Sequence, residues 1–469
     1  MGRRSKESQD ALWVEAGELA RSPGHPFYER LNRILDSEGF DEFVEGQCAQ
    51  FYADGVGRPS LAPALYFRLL LIGYFEGIDS ERGISWRVAD SLTLREFLGI
   101  SLSAASPDHS TISRNRRLID LESHQEVFSW VLRVLSKRGL LKGKTLGVDS
   151  TTLEANAALR SIVRRDSGES YSEFLERLAV ASGIDTPTRQ DLAKIDKKRS
   201  GKGSNDDWEH PHDPDAKITK MKDGRTHLAH KAEHAVDMET GAVVGVRVDS
   251  AIAGDTQTVK DVIEEAVENL LEVMDDPEAV EQLSDELVAQ LVADKGYHSN
   301  AVLTDFRDLG IRTYISEPNR GRRNWKGKTA ERDATYGNRK RIGRAKGQRL
   351  QRRRGELIER CFAHCYDTGG MRRTHLRNHS NILKRILIHV AGFNLSLVMR
   401  QTLGAGKPKA FQGRLAAALT AISRLFATYD ARELPHEDKN GNSPFNLAPH
   451  TPTAISLLFS RERAFATGC

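Results

Sequence analysis

Lys144-Thr-Leu-Gly-Val-Asp149-Ser-Thr-Thr-Leu-Glu-Ala-Asn156 has the pattern of a short β-strand that delivers an aspartate. Leu146 and Val148 alternate with small residues, so one face enters a core and Asp149 sits on a rigid element, where geometry for chemistry is best fixed. A second strand-like run, Gln290-Leu-Val-Ala-Asp294-Lys-Gly-Tyr297, again ends in a carboxylate followed by a glycine turn. A third stretch, Glu356-Leu-Ile-Glu359-Arg-Cys-Phe-Ala-His364, reads as helix. Two aspartates on strands and a glutamate on a helix supply what a two-metal phosphoryl-transfer site needs, hard oxygen ligands around Mg²⁺ ions roughly 3.5–4 Å apart.

The chain has 469 residues, of which 39% are hydrophobic and 29% charged, the balance of a globular protein with two or three cores. No apolar run reaches the ~18 residues of a membrane span. The start, Met-Gly-Arg-Arg-Ser-Lys, lacks the apolar centre of a signal peptide, so the expected location is cytoplasmic, with no membrane partner. Four scattered cysteines, Cys48, Cys361, Cys365 and Cys469, do not make a disulfide framework. Net charge is only +4, but residues 320–354 carry 15 Lys/Arg against 2 Asp/Glu, and residues 261–290 carry 11 Asp/Glu and no Lys or Arg. The first run, leading into the Glu359 helix, is read as a loop facing nucleic acid phosphates through Arg352, Arg353 and Arg354, against the plainer reading of a solvated loop.

Up to about residue 140 the chain reads as helical, with an apolar helix over 60–75 broken at Gly77. Beyond Pro107, Ser110 or Thr111 is expected to cap a helix bearing Arg114, Arg116 and Arg117, with the look of a DNA-reading helix. A solvated amphipathic helix explains that pattern equally well. The next helix runs from 125 to 138. Residues 160–225 form a polar insertion with one short helix, 171–181, and otherwise loops. Within it His210, His212, Asp213 and Asp215 are interleaved with prolines and read as a surface turn or a loop across DNA, with no metal. A hairpin follows over 226–248, turning at 237–241. It contains His230-Lys-Ala-Glu233-His234, the H-x-x-E-H pattern of inverted zinc peptidases, which needs a helix. On a strand His230 and His234 share a face while Glu233 points away, so the pattern fails as a zinc site. A helix capped by Ser299, a strand over 312–316 and an apolar helix over 378–403 that packs on the sheet complete an α/β core with a mixed sheet. Cys361, His364 and Cys365 lack zinc-module spacing and read as buried thiols. Residues 404–469 hold one more helix, 414–429, and a tail.

Val148-Asp-Ser150, Ala293-Asp-Lys-Gly-Tyr297 and Glu359-Arg-Cys-Phe362 resemble the three signature blocks of bacterial insertion-sequence transposases of the DDE type. Asp90-Ser-Leu-Thr-Leu-Arg-Glu-Phe-Leu98 and Pro107-Asp-His-Ser-Thr-Ile-Ser-Arg114 resemble the helical part that precedes the catalytic core in that family. The likeness covers roughly residues 10–400, and the order and joint occurrence of the motifs are specific. It implies an RNase H-like mixed sheet with flanking helices over 141–403, an all-helical domain over 1–140, and a C-terminal helix and tail over 404–469. It further implies metal-dependent DNA cleavage and strand transfer at insertion-sequence ends, acting on terminal inverted repeats and target DNA as a homodimer at the nucleoid. In that reading Asp149 bridges two Mg²⁺ ions, replaceable by Mn²⁺, with Asp294 and Glu359 each holding one. Glu356 competes for the last role. A neighbouring branch has an arginine and a lysine at the positions of Gly355 and Tyr366 here, which leaves Arg360, Arg372, Arg373 and Arg377 as candidates to grip the DNA end. The rival readings are a DNA-binding relic without catalysis and a zinc peptidase built on His230, Glu233 and His234.

Overall fold

The computed structural model describes residues 24–52, 60–199, 203–221, 223–319, 321 and 323–412. The expected helix at 414–429 and the tail lie outside the described residues. Seven helices come first: α1 Pro26–Ser37, α2 Phe40–Cys48, α3 Pro63–Glu76, α4 Glu81–Ala89, α5 Leu92–Phe97, α6 His109–Leu118 and α7 Leu121–Lys137. Helix α3 is apolar on all sides and buried on all sides, as such a helix must be. Pro63 opens it, and Gly77 closes it in the left-handed region at φ 71°. Its one cation, Arg68, is 5% exposed and is held by Asp36, Asp41 and Asn32. The cap of α6 is Asp108, which accepts the Ser110 N–H, rather than Ser110 or Thr111.

Strand β1, Thr145–Glu154, then begins the sheet. An excursion follows: β2 Val163–Arg164, α8 Tyr171–Ala181, α9 Arg189–Lys198, β3 Trp208–Glu209 and β4 Lys217–Lys220. Two helices rather than one form here, because Thr188 and Asp191 build a capping box that nucleates α9. The excursion has its own small core around Ile162, Trp208 and Leu228, with Tyr171 and Phe174 packed on it. Arg164, Arg177 and Arg199 cover those rings at 5.3–5.7 Å, so these arginines are spent on packing.

The chain returns through β5 Thr226–Asp237, β6 Val243–Ser250, α10 Asp255–Met274, α11 Pro277–Val280, β7 Gln290–Ala293, α12 Asn300–Asp308 and β8 Arg312–Ile315. Helices α13 Thr329–Ile342, α14 Ala345–Phe362 and α15 His379–Leu403 follow. The sheet order is β4-β5-β1-β7-β8, with β6 also on β5. β1 is antiparallel to β5 and parallel to β7, and β7 is parallel to β8. Asparagines close both sheet edges. Asn338 of α13 exchanges two hydrogen bonds with the Ile315 backbone, and Asn394 of α15 does the same with Val243. These bonds take up backbone groups that would otherwise be open to pairing with another strand.

The basic run is a loop only at its start: from Thr329 onward it folds into α13 and α14. Gly347, Leu350, Leu357, Ile358 and Cys361 recur on one side of α14 and are buried, which places most of its charges outward. The stretch from α15 to Phe411 contains 18 residues apolar enough to cross a membrane, but 89% of those 18 are buried inside the fold. The helix packs on α7, α3 and β6. Lys384 reaches inward to the Arg116 and Ile119 carbonyls at the end of α6, where a cation suits the helix dipole, and Arg385 to the Leu70 carbonyl within α3 and that of Ile78 just past its end. Gly73 of α3 makes room for this: a Cβ there would lie 2.2 Å from Arg385 Nη2.

Candidate active site

The parallel register of β1 and β7 pairs Thr145 with Gln290 and Gly147 with Val292. Continued by two residues, it brings Asp149 beside Asp294, on neighbouring strands that lie about 4.8 Å apart. The side chain of Asp149 is 27% exposed. Its Oδ1 accepts the Ser150 N–H at 2.9 Å, and its Oδ2 accepts Arg354 Nη1 at 2.7 Å. Burial pushes the Asp149 carboxyl up from its ordinary range and nearby Asp294 adds to the rise, while the Arg354 guanidinium opposes both. Asp294 Oδ1 accepts the Gly296 N–H at 2.7 Å, which fixes the turn leaving β7.

Helix α14 lies over this end of the sheet. Gly147, one pleat before Asp149, permits the approach: a Cβ there would lie 2.4 Å from Met238 Sδ and 3.3 Å from Ile358 Cδ1. Glu359 follows Ile358 on the flank of α14. It is exposed, and its carboxylate has no ion pair or hydrogen bond among the described residues. Glu356, three residues earlier on a neighbouring face of the helix, is also exposed and pairs with Arg360. Among the described residues no group of three or more His, Cys, Asp and Glu side chains could hold a metal ion, so Glu359 is not gathered to the aspartate pair in this structure. The aspartate pair itself fits a hard divalent cation: its donors are carboxylate oxygens, and a guanidinium already occupies the outward oxygen of Asp149 as a stand-in positive charge.

The candidate DNA-contacting arginines are placed unequally. Arg114 and Arg117 are exposed on α6, whereas Arg116 is 7% exposed, with Nε 2.7 Å from Glu81 and Nη1 2.8 Å from Asn381. Its position on α6 faces α4 and α15, so it braces the fold and presents nothing to a phosphate. Arg352 is exposed, and Arg353 donates to the Glu239 carbonyl. Arg372 donates to Thr151 Oγ1, one pleat beyond Asp149 on the same face, and pairs with Asp367. Arg373 lies 3.7 Å from Glu154, and Arg377 is exposed.

The histidine motif lies on β5. His234 accompanies Asp149 across the ladder and contacts Tyr366 and buried Cys361, while His230 lies four residues away, about 13 Å along the strand. Glu233 faces the opposite side and accepts the Tyr297 hydroxyl at 2.5 Å. The three cannot meet one zinc ion. The His210–Asp215 turn is only partly a surface turn: Pro211, His212 and Pro214 are exposed, but its other side is buried. His210 is 3% and Asp213 1% exposed, Asp213 packs against His230, and Asp215 accepts the His379 N–H at the start of α15.

Sequence reasoning missed the layer beneath the aspartates. Ser150 donates to Asp255 at 3.1 Å, Lys231 sits 2.7 Å from Asp255 and 3.9 Å from Glu233, and Glu233 holds Tyr297 three residues after Asp294. The signal was available, since Lys231 and Glu233 alternate with the two histidines and so must share the other face of the strand.

A model of a transposase domain (DUF772) matches residues 16–118, and one of the transposase DDE domain matches residues 205–395. The second takes in Asp294 and Glu359; Asp149 lies between the two. Comparison with curated proteins and with solved structures finds no match. The two matches, in the order that the paired aspartates and the overlying helix require, place the chain among the insertion-sequence transposases of the DDE type.

Proposed function

We propose that this transposase cleaves DNA at the ends of its insertion sequence and joins them to target DNA. The proposed core is RNase H-like, and Asp149, Asp294 and Glu359 hold two Mg²⁺ ions in it, with Mn²⁺ as a substitute. The observation that carries the reading is the side-by-side placement of Asp149, midway along β1, and Asp294, just past the end of parallel β7, under the helix that bears Glu359. The order β6-β5-β1-β7-β8, antiparallel then parallel about β1, supports the fold assignment.

Bound divalent ions would activate the attacking oxygen and neutralise charge on the phosphoryl group. The chain's own residues do the rest. The Ser150 N–H holds one Asp149 oxygen and so turns the other outward, and the Gly296 N–H does the same for Asp294. Arg372, anchored between Thr151 and Asp367, is placed beside the scissile strand, and Arg352, Arg360, Arg373 and Arg377 extend the basic surface along the DNA. Arg353 contributes from its place on Glu239, and Arg114 and Arg117 read the terminal repeat. Two copies of the chain hold the two ends.

The test is cleavage of a labelled duplex carrying the terminal inverted repeat, in Mg²⁺. Asp149→Asn and Asp294→Asn are expected to lose cleavage and keep binding. Cleavage retained by Asp149→Asn would remove the assignment.

A further inference from the structure

We infer that Arg354 is a resident counter-ion that takes the cation's place on Asp149 in the metal-free protein and must leave when a divalent ion arrives. The inference rests on the proposed reading of Asp149 as a metal ligand. Three observations carry it. The first is which oxygen is taken. Oδ1 of Asp149 is committed to the Ser150 N–H, so Oδ2 is the oxygen open to a cation, and Arg354 Nη1 donates to that oxygen at 2.7 Å.

The second is how the guanidinium is held. Arg354 lies on the buried side of α14, between Leu350 and Ile358, and its side chain is 13% exposed. Its Nε is buried without a hydrogen-bond partner, and Asp149 is its one polar contact among the described residues. A guanidinium has five donors, so a structural arginine in such a place ordinarily satisfies several of them. This one is tied through a single nitrogen and can swing away without breaking a second bond.

The third is charge balance. Asp149 and Asp294 stand on adjacent strands, and Glu359 is exposed nearby on the same helix as Arg354. Without a cation the paired carboxylates repel each other, and Arg354 relieves that repulsion. Once a divalent ion occupies Oδ2, the guanidinium is repelled in its turn and becomes free on the face where Arg372 already lies. Arg354 is therefore a positioning residue that sets the affinity for metal, rather than a standing contact to DNA phosphate.

Mn²⁺ binding to the full-length chain, followed by titration calorimetry and by the electron paramagnetic resonance of free Mn²⁺, tests the inference without DNA or cleavage. Arg354→Gln should bind Mn²⁺ about tenfold more tightly than the parent chain, equivalent to about 1.4 kcal/mol of competition removed. Arg354→Lys, which keeps the charge but not the planar fork, should fall between them, and Arg189→Ala, exposed on α9, should match the parent. If Arg354→Gln binds Mn²⁺ equally or more weakly, the counter-ion role is wrong. Should that variant not fold, an Arg354→Lys affinity no tighter than the parent's overturns the role equally. Asp149→Asn separates this from the underlying reading: unchanged Mn²⁺ binding in that variant would show that Asp149 is not a ligand, whatever Arg354 does.

Discussion

Replacing Lys231 by methionine keeps the volume of the side chain and removes the one ammonium shared by two carboxylates beneath the active face. Lys231 is 4% exposed. Its Nζ lies 2.7 Å from Asp255, 2.9 Å from Thr258 Oγ1 and 3.9 Å from Glu233, which is itself fully buried. Burial pushes the Glu233 carboxyl up, and Lys231 and the Tyr297 hydroxyl hold it down. Breaking a buried pair from one side costs about 3–5 kcal/mol, because a charge is left without compensation. The Asp255 side chain is 30% exposed and can recover water, which puts the expected cost of Lys231→Met at the low end, about 3 kcal/mol. Adding Glu233→Gln removes the stranded charge while keeping an acceptor for Tyr297. The double variant should therefore lose only about 1 kcal/mol, about 2 kcal/mol less than Lys231→Met alone. Urea unfolding of the parent, both single variants and the double variant measures the cycle. A loss under about 1 kcal/mol for Lys231→Met, or simple additivity in the double variant, would refute the argument that this lysine holds the layer together.

Glu359→Gln should abolish cleavage while Glu356→Gln retains it, since Glu356 is already paired with Arg360 and Glu359 is not; the opposite ranking in a nicking assay would transfer the role. Arg349→Ala with Arg352→Ala, both exposed on α14, should flatten the log–log salt dependence of DNA binding by up to about two units, at about 0.9 per phosphate contact. Arg116→Ala should leave that slope unchanged and instead cost up to roughly 3 kcal/mol in urea unfolding, because it strands Glu81. Burial holds His124 down at about 3, so it is neutral in the folded chain at pH values where the unfolded chain, titrating near 6.5, is protonated. The unfolded state then binds the extra proton, and stability is lost as pH falls from 6.5 towards 3. His124→Gln should lower the slope of stability against pH by about 1.4 kcal/mol per unit between about pH 5.5 and 4. Equal slopes in urea titrations of the two proteins would mean that His124 is charged inside the fold.

The alternation of Leu146 and Val148, the valine-rich return after Gly241 and the periodic apolar face of residues 378–403 were enough to place the strands and the long helix, because local periodicity records which side of an element is buried. The same alternation excluded a zinc site from His230, Glu233 and His234. The order of the three carboxylate blocks pointed to the family. Tertiary structure alone decided what each charge does. Nothing local separates Arg116, buried against Glu81, from Arg114 and Arg117 on the same helix, nor Arg354 on Asp149 from exposed Arg352. A run of like charges was read as a solvated or DNA-facing loop, yet α13 and α14 form because Asn338, Leu350 and Ile358 find the sheet, a contact made with residues far away in sequence. The His210–Asp215 turn and the Lys231 layer are of the same kind. A polar group's environment is set by what folds over it, and in this chain those partners, Asn378 for Asp213 and Asp255 for Lys231, come from other elements.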